Sequence, residues 1–203
     1  IAVITSTRAE YGLLKPIITK IQKSKFLDLR LVVTGAHLSE LYGNTINTIN
    51  GDGFSIEETI DIDLEDNTKN GVANSFAKAV SGFSLYLQKS TCDCVLLLGD
   101  RYEILAFAVS ALLHNVPIAH LYGGEVTIGA IDESIRHAIT KLSRLHFAAT
   151  SEYAARIVQL GEDPKSVFNV GGIGVDVINQ TLLLPNDELS ASLGVNLLDY
   201  RNR

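Results

Sequence analysis

The sequence predicts an α/β domain: a parallel sheet with helices on both faces. Two observations carry that prediction. Short β-branched or aliphatic runs alternate with longer segments of helical periodicity along most of the chain. The short runs are continuously apolar rather than alternating with polar residues, which is the pattern of strands buried on both sides.

Taken in order, residues 1–5 read as a strand and residues 6–11 as the turn into a helix. On that helix Leu13, Leu14, Ile17, Ile18 and Ile21 recur at helical spacing, and Pro16 is awkward there unless the helix effectively starts near it. Residues 29–34 form a second β-branched run, with a helix expected from Ser39. Residues 50–53 are a turn cluster and 55–62 an extended piece. The stripe Val72, Phe76, Ala79, Val80, Phe83, Leu87 predicts a helix over 70–87. Residues 92–98 make the clearest strand, followed by a very apolar helix over 102–113 and a strand over 116–121. A helix over 131–142 carries Ile131, Ile135, Ala138 and Leu142 on one stripe. Strand 145–149, helix 152–160 and strand 167–170 complete the series. The pattern weakens after Pro185. Residues 1–184 are therefore expected to be one domain, and 185–203 a linker or the start of another.

Composition narrows the function. The chain has 203 residues, enough for one substantial core. Acidic residues outnumber basic ones by 23 to 17, for a net charge of −6, which disfavours a nucleic-acid partner. An anionic small molecule stays open, because a phosphate site needs only local N–H groups and one or two arginines. Cys92 and Cys94 lie in an apolar run and read as buried thiols of a reducing compartment. No apolar run is long enough to span a bilayer and no leader pattern opens the chain, so the expectation is a cytoplasmic protein without a membrane partner. No zinc-ligand spacing, GxGxxG, GxxxxGK[ST] or GxSxG occurs where it would count; the run Gly171-Gly172-Ile173-Gly174 does not follow the first strand.

In an open parallel sheet, ligands bind beyond the carboxyl ends of the strands. The polar residues expected there are Arg8 and Glu10, then His37, then Asp100, Arg101 and Glu103, then Tyr122, Glu125, Asp132 and Glu133. Asp100 follows Val95–Leu98 with only Gly99 between. A carboxylate there is partly desolvated, which suits proton transfer; its competing role is to cap the next helix. Glu125 follows Gly123-Gly124, which permit a close backbone approach or a sharp turn; otherwise it is a solvated loop residue. Asp132 and Glu133 open a helix, where acids complement the dipole. Glu133 with His137, and Asp132 with Arg136, are i, i+4 pairs that form either surface salt bridges or a cleft-facing set. Arg8 and Arg101, each between a strand and a helix, suit a diphosphate; alternatively Arg8 pairs with Glu10 and Arg101 is simply exposed. His37 either faces the site or caps a turn. His114 reads as a helix-end residue and His120 as a satisfied buried histidine.

Taken together, Thr7-Arg8-Ala9-Glu10-Tyr11-Gly12, Val33-Thr34-Gly35-Ala36-His37-Leu38-Ser39, Gly99-Asp100-Arg101-Tyr102-Glu103, and Gly123-Gly124-Glu125 continuing to Asp132-Glu133-Ser134-Ile135-Arg136-His137-Ala138-Ile139-Thr140-Lys141 resemble the hydrolysing branch of the UDP-N-acetylglucosamine 2-epimerase family. The resemblance runs through most of the chain in order. It implies a Rossmann-like domain, the first of a two-domain architecture like that of GT-B glycosyltransferases, with the active site between domains. It implies a UDP-sugar substrate, no cofactor and no metal, and a homo-oligomer (dimer or tetramer). The implied reaction removes the C2 proton and eliminates UDP, then hydrates the glycal to release the epimerised sugar. By the same resemblance Asp100, Glu125 and Asp132 are catalytic and Arg8 and Arg101 contact the diphosphate; His37, Glu133, Arg136 and His137, by their positions, are the further residues expected to bind substrate. Tyr122 stands where the non-hydrolysing branch has a catalytic glutamate, so either Glu125 takes that role or the mechanism is redistributed. Gly12 and Leu13 stand where relatives often have serine and lysine.

Overall fold

The structure, a computed structural model, describes residues 1–181 and 183–195. By internal contacts the chain divides into two units, Ile1–Ile173 and Gly174–Arg203. Of the segment expected to be a linker or second-domain start, residues 196–203 lie outside the described residues.

The first unit is a seven-stranded, wholly parallel sheet flanked by helices, as the apolar runs predict. The strands are β1 (Ala2–Thr5), β2 (Arg30–Thr34), β3 (Ile56–Ile60), β4 (Val95–Leu98), β5 (Ile118–Leu121), β6 (Leu145–Ala148) and β7 (Val167–Asn169). They lie in the order β3-β2-β1-β4-β5-β6-β7, every neighbouring pair parallel. The connecting helices include α1 (Arg8–Gln22), the short α2 (Ile46–Gly51), α3 (Lys69–Lys89), α4 (Tyr102–Leu113), α5 (Ile131–Leu142) and α6 (Ser151–Gln159). Beyond the sheet, α7 spans Ile173–Gln180, and the second unit contains α8 (Asn186–Leu193). Among the described residues no helix is long and apolar enough to cross a membrane.

Strand β1 shows why both faces are covered. All four of its residues are buried. Ala2 and Ile4 join the core formed with Phe83 of α3 and Ile104 and Phe107 of α4, while the alternate residue Val3 faces the other side. The Phe83 and Phe107 rings meet edge to face, 4.7 Å between centroids, a contact worth about 0.5–1.5 kcal/mol beyond burial.

Several expectations need correction. Pro16 does not mark the start of α1; it lies inside the helix. One lost backbone hydrogen bond is outweighed by a buried stripe of Tyr11, Leu14, Ile18 and Ile21, and the Thr7 hydroxyl caps the helix by accepting from the Glu10 amide. No long helix starts at Ser39. Two 3-10 turns, Gly35–Leu38 and Glu40–Tyr42, lead instead to the six-residue α2. The cysteines are half-buried and precede β4, which begins only at Val95.

Candidate functional site

Strand order reverses between β1 and β4, because the chain builds outward in one direction to β3 and then returns to the other side of β1. Loops leaving a parallel sheet diverge at such a point and open a crevice at the carboxyl ends of the strands. Two polar clusters stand there.

The first lies at the β1–β4 junction. Ser6, immediately after β1, donates its amide to Glu10 Oε2 at 2.9 Å. The Ser6 hydroxyl lies 2.8 Å from Glu10 Oε2 and 3.0 Å from Glu103 Oε1. Arg101 Nε donates to the same Glu103 oxygen at 2.5 Å. Both glutamates are buried. Burial pushes the Glu10 carboxyl up to about 7; the Glu103 charge adds to this, while the Ser6 hydrogen bonds and Arg101 oppose it. Arg8 is exposed and pairs with no acid among the described residues. Arg8 and Arg101 together line a cavity of about 350 Å³ with Thr7, Tyr42, Asn67 and Tyr102.

The second cluster lies beyond β4 and β5. Asp100 does not cap α4, whose N-cap position is Arg101 without a side-chain cap. It accepts instead from Arg136 Nη2 on α5. Arg136 therefore pairs across to the next loop, not with Asp132 one turn before it. Arg136 is 6% exposed, and its Nε and Nη1 have no partner among the described residues. Buried cationic donors left open in this way are what an anionic or carbonyl-bearing ligand satisfies. Glu125 stands nearby. Desolvation pushes its carboxyl up, Arg136 pulls it down, and the Asp100 charge raises it further.

Neighbouring residues hold this cluster in place. His120 is fully buried, with Nε2 2.8 Å from the Gly99 carbonyl and Nδ1 3.2 Å from Thr140 Oγ1. Burial lowers it to about 4, so the neutral ring donates to Gly99 and anchors the turn carrying Asp100. This is the satisfied histidine the sequence suggests. Gly123 and Gly124 serve a different approach from the one expected. A side chain on Gly124 would collide with the Tyr153 carbonyl and with Ile157 of α6, and its φ is +77°. The close contact is thus with a helix. Arg156 of α6 donates to the Gly124 carbonyl at 2.5 Å, which aims the Glu125 loop. Tyr122 has a left-handed φ of 65°, uncommon for a residue with a β-carbon.

The remaining predicted residues divide between the site and its support. Asp132 and Glu133 stand in the first turn of α5. Glu133 accepts from the Thr127 amide at 3.2 Å, closing the intervening loop onto the helix, and lies 3.8 Å from His137 Nε2. His37 is brought elsewhere. It is fully buried, with Nε2 3.0 Å from Thr5 Oγ1 and Nδ1 2.7 Å from Thr45 Oγ1, so both ring nitrogens are engaged inside the protein. Burial lowers it to about 4. Site-supporting residues that sequence reasoning missed are Ser6 and Arg156. Position after β1 was a signal for Ser6. Arg156 has none, being one more polar residue on an amphipathic helix.

Comparison with known proteins gives the family and the fold. The family model described as UDP-N-acetylglucosamine 2-epimerase matches residues 19–196. The chain is 41% identical over 198 residues to the polysialic acid biosynthesis protein P7 of Escherichia coli, covering 97% of this chain and 50% of that one. It is 44% identical over 177 residues to a UDP-N,N'-diacetylbacillosamine 2-epimerase (hydrolyzing) of Legionella pneumophila, covering 87% of this chain and 47% of that protein. The chain thus spans about half the length of the curated relatives it matches. Among solved structures, a UDP-N-acetylglucosamine 2-epimerase superposes with a TM-score of 0.78 at 19% identity, over 92% of this chain and 53% of that one. The Methanocaldococcus jannaschii UDP-GlcNAc 2-epimerase in complex with UDP-GlcNAc and UDP gives 0.75 at 22% identity, over 94% and 50%. The fold is therefore that of about half of each of these structures, and the chain belongs to the UDP-N-acetylglucosamine 2-epimerase family.

Proposed function

We propose that this chain supplies the carboxylates of a hydrolysing 2-epimerase acting on a UDP-2-acetamido sugar. The observation that carries the reading is the Asp100–Arg136 pair with Glu125 beside it and two guanidinium nitrogens open. Epimerisation at C2 needs one carboxylate to take a proton from one face and another group to return it to the opposite face. Asp100, Glu125 and Asp132 are the candidates for these roles. Burial pushes the Glu125 carboxyl up, which favours its holding a proton, and its position after Gly123-Gly124 compensates for Tyr122 at the usual glutamate place. Removing the C2 proton breaks the C1–O bond to UDP and leaves a glycal. Water then adds at C1 while C2 is reprotonated on its other face, giving the free epimerised sugar and UDP. Arg8 and Arg101, lining one cavity, are placed to meet the leaving diphosphate.

The names of the similar proteins support two sugars as substrates, UDP-N-acetylglucosamine and a UDP-2,4-diacetamido-6-deoxy sugar. The test offers each to the intact protein in deuterated water. Release of UDP and free sugar with deuterium at C2 is expected for at least one. Recovery of a C2-epimerised sugar still bearing UDP would move the protein to the non-hydrolysing reaction, which Tyr122 disfavours. Binding without deuterium uptake would make it a nucleotide-sugar binder.

A further inference from the structure

The cluster at the β1–β4 junction does not balance as two carboxylates. Ser6 has one hydroxyl proton, yet its oxygen is within hydrogen-bond distance of both Glu10 and Glu103. Glu103 Oε1 also receives Arg101 Nε, a cation in direct contact, whereas no cation pairs with Glu10 among the described residues. A second proton, on the glutamate without a cation partner, resolves the shared contact. We propose that Glu10 is a positioning residue that carries a proton and, through Ser6 and Glu103, sets the net charge that Arg101 presents to an anionic ligand. With that proton on Glu10 Oε2, the carboxyl donates to Ser6 Oγ while still accepting the Ser6 amide, and the Ser6 hydroxyl and Arg101 Nε both donate to Glu103 Oε1.

Three further observations agree. Glu10 and Glu103 are 7% and 0% exposed, so a second buried negative charge beside a single guanidinium is costly. Glu103 and Arg101 are the charged groups that act on Glu10 from the loop before α4 and its first turn; burial, helped by the Glu103 charge, outweighs the Ser6 hydrogen bonds and Arg101 that oppose it. Arg101 reaches from this cluster into the cavity that Arg8 also lines. With Glu10 protonated, Glu10, Glu103 and Arg101 sum to zero; once it ionises, they sum to −1 beside the same cavity. An anion should therefore bind more weakly as pH rises through neutrality, and a bound anion should raise the pH at which Glu10 loses its proton, by the reciprocity of linked equilibria.

The anion-binding half rests on the nucleotide-sugar reading; the proton itself does not. Infrared titration of the ligand-free protein should show a carboxylic-acid band lost between pH 6 and 8 that Glu10→Gln lacks. Glu103→Gln should move that loss to lower pH, since the neighbouring negative charge is gone. UDP affinity measured by calorimetry should fall in the native protein relative to Glu10→Gln by up to about tenfold per pH unit above the transition, the limit for one linked proton. Taking the ratio at each pH cancels the titration of UDP itself. A spectrum without the acid band at pH 6, or a ratio that does not change with pH, overturns the proposal. Failure of both proteins to bind UDP at any pH overturns the nucleotide-sugar reading and the charge-setting role with it, whereas the band still decides whether Glu10 carries the proton.

Discussion

Replacing Gly124 by alanine tests the architecture that aims Glu125. The residue has φ +77°, and an added methyl group would meet the Tyr153 carbonyl and Ile157 Cγ1 of α6. Two costs follow. An L-residue in the left-handed region loses about 1–2 kcal/mol, and forcing a methyl into a packed contact with backbone costs about 1–3 kcal/mol. Together they predict a loss of about 2–5 kcal/mol. Gly129 is the matched control, with φ +84° and nothing within 4 Å of its added carbon, so Gly129→Ala should lose only the backbone part, about 1–2 kcal/mol. Both changes reduce the freedom of the unfolded chain equally, so that effect cancels. Urea denaturation reads the difference. At a slope of about 2 kcal/mol per M, Gly124→Ala should unfold on the order of 1 M earlier than Gly129→Ala. Equal midpoints would refute the close approach of α6 to the glycine pair.

Further outcomes follow from the site. Asp100→Asn and Asp132→Asn should each lower turnover by about 10²- to 10⁴-fold while UDP still binds; an unchanged steady-state rate in either variant removes that residue from the mechanism. Arg8→Ala should raise the Kd for UDP by about 10- to 100-fold, the value of a charge-assisted contact, and an unaltered isotherm would place the diphosphate elsewhere. His37 and His120 are both held at about 4, below the ordinary 6.5. The folded state therefore binds fewer protons than the unfolded state between these values, and their contribution is intact above pH 6.5 and lost as pH falls toward 4. The urea midpoint should drop across that window, less so in His37→Asn; an equal drop in both proteins would dismiss His37 as a source.

Most of the fold was legible because its central strands β1, β2, β4 and β5 are buried on both faces. Continuous runs such as Val95–Leu98 have no competing interpretation at that length. The region around α2 was not legible, since its turns are fixed by tertiary contacts such as Tyr11 with Asp52, a 2.7 Å hydrogen bond. Strand ends also pointed to much of the candidate site: Asp100 and Arg101 follow β4, and Glu125 follows β5. Partner choice was hidden. Spacing on α5 offered Asp132 for Arg136, but strand order brings Asp100 to it instead. His37 shows the same limit from the other side, because adjacency to a strand end does not reveal whether a ring faces a crevice or sits between two threonines. Glu10 and Glu103 were expected at two strand ends, but only the adjacency of β1 and β4 shows that they share Ser6.

That adjacency also has a consequence for how the molecule assembles. Asp100 and Arg136 are 36 residues apart in sequence, whereas Ser6 and Glu103 are separated by 97. Closing the longer loop costs about 0.9 kcal/mol more conformational entropy, and it requires β1 to be docked against β4 first. The Asp100–Arg136 pairing can thus be established within a contiguous β4–α5 stretch early in folding. The buried glutamates come together only when the amino-terminal strand completes the sheet, so a chain caught midway would expose an unpaired β4 edge and two carboxyls still in water.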